Sequence, residues 1–339
     1  MSRPSPRTPK TPPFSSSDTS LDAALRPNVW EEYIGQPHIK ENLRILLAAA
    51  KERGQSPEHV LLYGPAGLGK TTLAHLIATE LGGTMKVTSG PAIEKVGDLA
   101  ALLTNLSPGD ILFIDEVHRL NRAIEEVLYP AMESGRLDII IGKGPSARTV
   151  QLELPPFTLV AATTRVAMLS SPLRSRFSGG TFRLAFYTED EILDIVRRSA
   201  HLLGIEASED AFREIARRSR FTPRTANHLL KRARDFAQVT KEPLSLDVAL
   251  KAFDLLGVDH VGLTTADRKL LSVLIENFNG GPAGLSTLSA SLSEDIATIE
   301  EVLEPYLMQL GFLERTPRGR AITEKGKLHV RGKNQGTLL

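Results

Sequence analysis

The run Leu61-Leu62-Tyr63-Gly64-Pro65-Ala66-Gly67-Leu68-Gly69-Lys70-Thr71-Thr72 satisfies the pattern G-x-x-x-x-G-K-[ST] at every fixed position. An apolar stretch, Val60 to Tyr63, precedes it, and Leu73, Ala74, Leu76 and Ile77 follow at helical spacing. That is the strand–loop–helix context a phosphate-binding loop requires. Glycines at 64, 67 and 69 let successive backbone N–H groups turn toward phosphate oxygens, and the helix that follows adds its positive dipole end. Gly67, Gly69, Lys70, Thr71 and Thr72 are thus candidate contacts to a nucleoside triphosphate, ATP. Lys70 is placed for the β- and γ-phosphates and the Thr71 hydroxyl for Mg²⁺.

A second apolar run, Ile111-Leu112-Phe113-Ile114, ends in Asp115-Glu116. It reads as a buried strand delivering two acids to the same end of a sheet. Asp115 is the candidate second Mg²⁺ group, and Glu116 the group that orients or deprotonates an attacking water. Asp115-Glu116-Val117-His118 also imitates the DExH box of two-domain helicases, but no second motor domain of matching pattern follows. Hydrolysis of the nucleotide is the expected reaction.

The 339 residues allow two or three cores of ordinary size. No cysteine is present, which excludes a disulfide framework and a cysteine nucleophile, and the 8 histidines lack zinc-ligand spacing. No apolar run approaches the roughly 20 residues of a membrane span, so a cytoplasmic protein is expected. Residues 1–20, rich in Pro, Ser and Thr, are expected to be a disordered tail.

From residue 21 to 186, β-type runs alternate with helical patterns, the signature of an α/β domain with a largely parallel sheet. Strands are expected at Val60–Tyr63, Met85–Thr88, Ile111–Ile114 and Thr158–Ala162. Residues 187–257 read as a small all-helical domain. Thr188 with Glu191 three residues later has capping-box spacing, and Pro223 follows Thr222 at a first-turn position. Residues 258–335 hold three helical patterns and then a hairpin about Thr316-Pro317-Arg318-Gly319, which predicts a winged helix. Within the first domain, two strand-like runs flank Gly142-Lys143-Gly144-Pro145 and predict a hairpin over about 136–154. Composition leaves two readings of it: a hairpin folded onto its own domain, or a surface for a partner.

Taken in order, further segments resemble the RuvB family, hexameric bacterial motors that drive branch migration of Holliday junctions. They include Leu25-Arg26-Pro27, Thr88-Ser89-Gly90-Pro91, Asp115 to Leu120, Leu128-Tyr129-Pro130-Ala131-Met132-Glu133, Ala162-Thr163-Thr164-Arg165, Ser171 to Phe177, Thr222-Pro223-Arg224 and Arg315 to Arg320. The resemblance runs from about Leu25 to Arg320. It implies an AAA+ core, a helical lid and a winged head. It also implies that Leu25, Arg26 and Tyr187 flank the adenine, that Thr163 or Thr164 senses the γ-phosphate, and that Arg224 reaches the phosphates from the lid. Arg176 would be an arginine finger entering a neighbouring subunit's site, which makes a homo-hexameric ring part of the chemistry. Glu133, Ser134 and Gly135 are further candidate nucleotide contacts. Implied partners are duplex DNA, the Holliday junction, RuvA through the 136–154 hairpin, and RuvC. The chain departs from the family pattern at Ala66, at Ser134-Gly135, and by one extra residue within 178–181.

Net charge is only +1, but the C-terminal third is polarised. Residues 258–304 carry 8 acidic and 2 basic side chains, and residues 305–339 carry 2 acidic and 7 basic. Arg315, Arg318 and Arg320 on the hairpin are candidate DNA-phosphate contacts, with Arg315 and Arg320 expected to point outward from one side of it. No aromatic side chains interleave them, so sequence-independent backbone contact is expected. Two other readings remain from sequence: a clamp-loader-like AAA+ ATPase, and an initiator that uses ATP as a switch.

Overall fold

A computed structural model describes residues 24–141 and 148–334 of the chain. The expected tail over 1–20 and the turn Gly142–Pro145 lie outside them. Five parallel strands form the central sheet in the order β2-β3-β6-β1-β7. They are β1 (Val60–Tyr63), β2 (Met85–Ser89), β3 (Ile111–Asp115), β6 (Thr158–Thr163) and β7 (Gly180–Arg183). The two faces of the sheet follow from the period of two along each strand. Val60, Leu62, Ile111, Phe113, Val160 and Ala162 join one apolar cluster, while Leu61, Leu112, Ile114, Leu159 and Ala161 join the other. Both faces are covered at the centre of the sheet, so β1, β3 and β6 are nearly continuous apolar runs.

The fifth strand is absent from the sequence expectation. Its four residues begin on a glycine at φ +122° and alternate between half-buried and exposed, so they carry little apolar signal.

The 136–154 hairpin forms as β4 (Arg136–Ile141) against β5 (Arg148–Glu153), with Ile139 opposite Val150 and Asp138 opposite Gln151. Leu137 is fully buried, and Ile139, Leu152 and Leu154 pack on the second sheet cluster. One hairpin face is therefore folded onto its own domain.

Helices Glu189–Leu202, Glu209–Arg218, Pro223–Thr240 and Leu246–Leu255 make the lid. Thr188 and Glu191 form the expected capping box, and Thr222 caps the helix that opens with Pro223. The head contains Thr265–Phe278, Leu285–Leu292, a third helix over 296–309, and a wing of β8 (Leu313–Thr316) paired with β9 (Gly319–Ile322). The third helix is not uniform, because Ile299–Leu303 takes a π turn immediately before Glu304-Pro305. Pro305 has no N–H to give to the carbonyl four residues back and its ring clashes there, a conflict that a widened turn relieves.

The basic segment beyond Arg320 forms an element that the sequence reading does not place. Glu324–Asn334 is a helix, started by Thr323, whose Oγ1 accepts from the Gly326 N–H at 3.1 Å. His329 of this helix stacks on Phe312 at 4.8 Å and bonds Asp259 at 3.0 Å. With two glycines and only Leu328 and Val330 as strong apolar residues, its sequence carries no amphipathic pattern. Among the described residues no helix is long and apolar enough to cross a membrane.

The capping box gives a direct test. Thr188→Ala should cost about 1 kcal/mol of stability, read as a lower urea midpoint at unchanged slope.

Candidate active site

The phosphate loop leaves β1 and its helix, Lys70–Leu81, begins at the lysine itself. Gly67 and Gly69 sit at φ +81° and +95°, a region L side chains rarely enter. Space also requires the first of them: a Cβ on Gly67 would lie 3.1 Å from the Cβ of Arg224, which comes from the lid. The Arg224 N–H reaches the Gly67 carbonyl at 3.4 Å, and the Tyr187 hydroxyl reaches the Leu68 carbonyl at 3.2 Å. The lid thus rests on the outer side of the loop through its backbone.

Lys70 is buried, and its Nζ donates to the carbonyls of Gly64 at 2.8 Å and Pro65 at 2.9 Å. Burial lowers its pKa to about 8; Arg224 pushes the same way, while Asp115 and Glu116 oppose. Asp115 ends β3 and accepts the Glu116 N–H at 3.0 Å. The Thr71 hydroxyl and the Asp115 carboxylate are hard oxygen donors of the kind Mg²⁺ takes, and Lys70 next to Thr71 feels the Asp115 charge.

Glu116 has φ +50°, a left-handed conformation that is uncommon for a non-glycine residue. The turn it makes brings its carbonyl so close to Gly90 that a Cβ there would lie 2.4 Å away, which explains a glycine in Thr88-Ser89-Gly90-Pro91. Burial, and then Asp115, raise the pKa of Glu116, with Lys70 acting against them. Its Oε2 is 3.5 Å from Thr164 Oγ1 and 3.4 Å from His118 Nδ1.

Geometry separates the two threonines that the sequence leaves open. Thr163 is fully buried, its hydroxyl 2.9 Å from His118 Nδ1 and accepting the Arg165 N–H at 2.9 Å. Thr164 faces Glu116. Thr164 also lies 3.3 Å from Glu301 of the third head helix, and Arg165 pairs with Glu300 at 3.1 Å and Glu301 at 2.6 Å. This head-to-core contact is invisible in the sequence, since the acids and Thr164 are more than a hundred residues apart.

Leu25 is buried and its carbonyl accepts from Arg198 of the lid at 2.8 Å. Arg26 bonds His75 on the loop helix at 2.7 Å. Tyr187 is buried too; its hydroxyl lies 3.2 Å from that of Tyr33, and burial pushes its pKa up to about 12. Its polar end therefore braces the loop.

Arg176 belongs to a different cluster. It pairs with Glu133 at 2.9 Å, donates to the Pro172 carbonyl at 2.6 Å and lies over the Tyr129 ring at 4.4 Å. Ser134 and Gly135 end the helix that carries Tyr129 and Glu133. The expected finger and residues 133–135 thus gather with one another, not with Lys70.

The wing departs from expectation. Arg315 and Arg320 are cross-strand partners, but both guanidinium groups turn inward to Glu304, which is fully buried. Arg315 Nη2 is 2.7 Å from Glu304 Oε2, and Arg320 Nη2 is 3.1 Å from the same oxygen. A buried carboxylate needs such partners, so the pair is first a structural clamp. Arg320 is mostly covered, at 15% side-chain exposure, whereas Arg315 keeps 49%. Arg318 stands at the exposed turn.

A phosphate loop, an acid pair and a helical lid with a winged head define the class: a P-loop ATPase of the AAA+ type. Comparisons narrow it. Residues 25–184 match the Holliday junction DNA helicase RuvB P-loop domain, 187–259 the RuvB AAA lid domain, and 260–331 the RuvB C-terminal winged helix domain. The chain is 58% identical over 316 residues to the Holliday junction branch migration complex subunit RuvB of Dehalococcoides mccartyi, covering 93% of this chain and 90% of that one. It is 55% identical over 320 residues to the same-named subunit of Chloroflexus aurantiacus, covering 94% and 91%. A solved structure, the Thermotoga maritima RuvB Holliday junction branch migration motor, superposes with a TM-score of 0.83 at 50% identity, covering 91% of this chain and 98% of that one. The chain belongs to the RuvB family.

With its pKa lowered to about 8, Lys70 gives nucleotide binding a testable pH dependence. The form expected to bind phosphate is the cation, present below about 8, and a phosphate beside it would raise the pKa. Affinity for a triphosphate analogue should be flat from pH 6.5 to 7.5 and fall about tenfold per unit above 8, with a proton taken up on binding. Fluorescence titration from pH 7 to 9.5 reads it; a flat profile would refute the lowered pKa.

Proposed function

We propose that this chain is an ATP-driven DNA motor that assembles into a hexameric ring in the cytoplasm and moves Holliday junctions, the task that the names of its relatives state for them. The reading rests on one observation above the rest. Lys70, Asp115, Glu116, Thr164 and Arg224 converge on the phosphate loop, while Arg176 is held apart by Glu133, Tyr129 and Pro172. Lys70 and Arg224 are the site's own cations, and the third, the finger, comes from a neighbour.

The residues divide the work. Backbone N–H groups of Gly67 to Thr72 and the Lys70 ammonium hold the phosphates, and Thr71 and Asp115 hold Mg²⁺, which supplies charge neutralisation there. Glu116, with its carboxylate between Thr164 and His118, orients the attacking water. Arg224 ties the phosphates to the lid, and Leu25, Arg26 and Tyr187 frame the base. Arg176, with Glu133, Ser134 and Gly135 beside it, enters the adjoining site, where such a finger is worth roughly 10³ to 10⁵ in rate. RuvA docks on the hairpin, where Val150 is an exposed apolar side chain, 38% accessible. RuvC acts on the junction afterwards. A clamp loader would have no use for a winged head.

Migration of a synthetic four-way junction, with and without RuvA, tests the whole reading. Arg176→Ala and Lys70→Ala should each be inactive alone. Mixed rings should recover part of the hydrolysis, because an intact site then meets an intact finger. Verified mixed rings without recovery would place Arg176 outside the neighbour's site.

The clamp at Glu304 changes what is expected of the wing. Arg318→Ala should make the slope of log DNA affinity against log salt shallower by about 0.9, one phosphate contact. Arg320→Ala should instead destabilise the head by about 1.5–3 kcal/mol, since it strips a buried carboxylate of one of its two cationic partners. A salt series and thermal melts of both variants separate the two roles.

A further inference from the structure

Glu300 and Glu301 lie in the π turn of the third head helix, and they reach out of the head into the ATPase core. Glu301 shares the Thr164 hydroxyl with Glu116, at 3.3 and 3.5 Å. Both head acids hold Arg165, the next residue along the sensor strand's exit. On the other side of the same turn, the Val302 carbonyl accepts from Arg220 of the lid at 3.0 Å, so the turn is pinned to both neighbours. A widened turn of this kind, placed beside catalytic groups, is a frequent mark of a functional position.

The chemistry of the contact is competitive. Thr164 has one hydroxyl proton, and Glu301 already draws on it. A γ-phosphate held by Lys70 would bring further negative charge to the space that Glu116 and Glu301 border, where Glu301 is felt by both Glu116 and His118. Carboxylate and phosphate seek the same donors and repel each other. A nucleoside diphosphate makes no such claim on Thr164.

We propose that Glu300 and Glu301 are specificity determinants for the state of the nucleotide: they occupy Thr164 and Arg165 when no γ-phosphate is present and are displaced when a triphosphate binds. The inference rests on Thr164 as the residue that meets the γ-phosphate. Triphosphate binding is then linked to release of the head from the core, and whatever holds the head away tightens triphosphate binding by the same factor. Diphosphate leaves the contact in place.

The test uses the full-length protein and two measurements. Glu300→Gln together with Glu301→Gln keeps shape and removes charge. Affinity for ATPγS should rise on the order of tenfold, within the ordinary range for coupled sites, while ADP affinity should change by less than about twofold. Equal changes for the two nucleotides would mean a plain packing contact and overturn the proposal, as would no change for either. The second measurement exploits the absence of cysteine, which lets a dye pair be placed cleanly at Val87→Cys in the core and Leu328→Cys in the head, both exposed. ATPγS should change the energy transfer and ADP should not. An identical response to both, or none to ATPγS, would again overturn the proposal. Thr164→Val separates this idea from the broader reading: normal hydrolysis in that variant would remove the sensor role, whatever the head acids do.

Discussion

The approach of the lid to the phosphate loop is the contact on which the rest of the molecule depends. It is made to backbone atoms: the Arg224 N–H and the Tyr187 hydroxyl meet the carbonyls of Gly67 and Leu68. Backbone contact registers the shape of the loop itself, so a change in loop conformation is a change in lid position. The lid reaches that place through Arg220 and Phe221, two successive non-glycine residues at φ +58° and +55°. Each such conformation costs roughly 1 kcal/mol or more. The cost is offset where their side chains go. Arg220 forms a two-pronged bond to the fully buried Asp267 and lies over Tyr306, and Phe221 packs on the head core. A short stretch of chain, from Arg220 to Arg224, therefore joins a cation embedded in the head to one packed on the phosphate loop.

The head's third helix has a division of labour written in its acids. Glu304 faces inward and gathers Arg315 and Arg320, while Glu300 and Glu301 face the core. Glu300 belongs to both sets, since it also lies 3.8 Å from Arg320. The wing and the catalytic strand are thus joined by alternating charges along a short stretch of one helix. Such a helix is poorly suited to enter a DNA groove.

Much of the site is legible in the sequence, for a physical reason. Phosphate binding needs glycines and a lysine at fixed spacing along one short segment, and Asp115-Glu116 needs only a strand end, so both are local. The placing of Thr163 and Thr164 is not local: His118 captures the Thr163 hydroxyl, and Thr164 faces Glu116. The outward direction expected of Arg315 and Arg320 fails because it takes no account of Glu304, which needs partners in the head core. The edge strand at Gly180–Arg183 and the helix Glu324–Asn334 escape sequence reasoning because each draws its order from neighbours, not from its own apolar pattern. The head acids on Arg165 belong to the same group, since only tertiary folding brings them together.

The apolar cluster on one face of the ATPase sheet runs without a break into the lid, from Val60 and Phe113 through Leu184 and Ile192 to Leu230 and Phe253. The head has a cluster of its own, built on Leu270, Leu271, Leu288 and Leu307. What crosses between head and the rest is mostly charge: Arg220 to Asp267, Arg165 to Glu300 and Glu301, and the Arg218 guanidinium to the Val258 carbonyl. Cooperative melting follows continuous apolar burial. On heating, the chain should divide at the head, and the lid, although it looks like a separate small domain, should go with the sheet as one calorimetric unit.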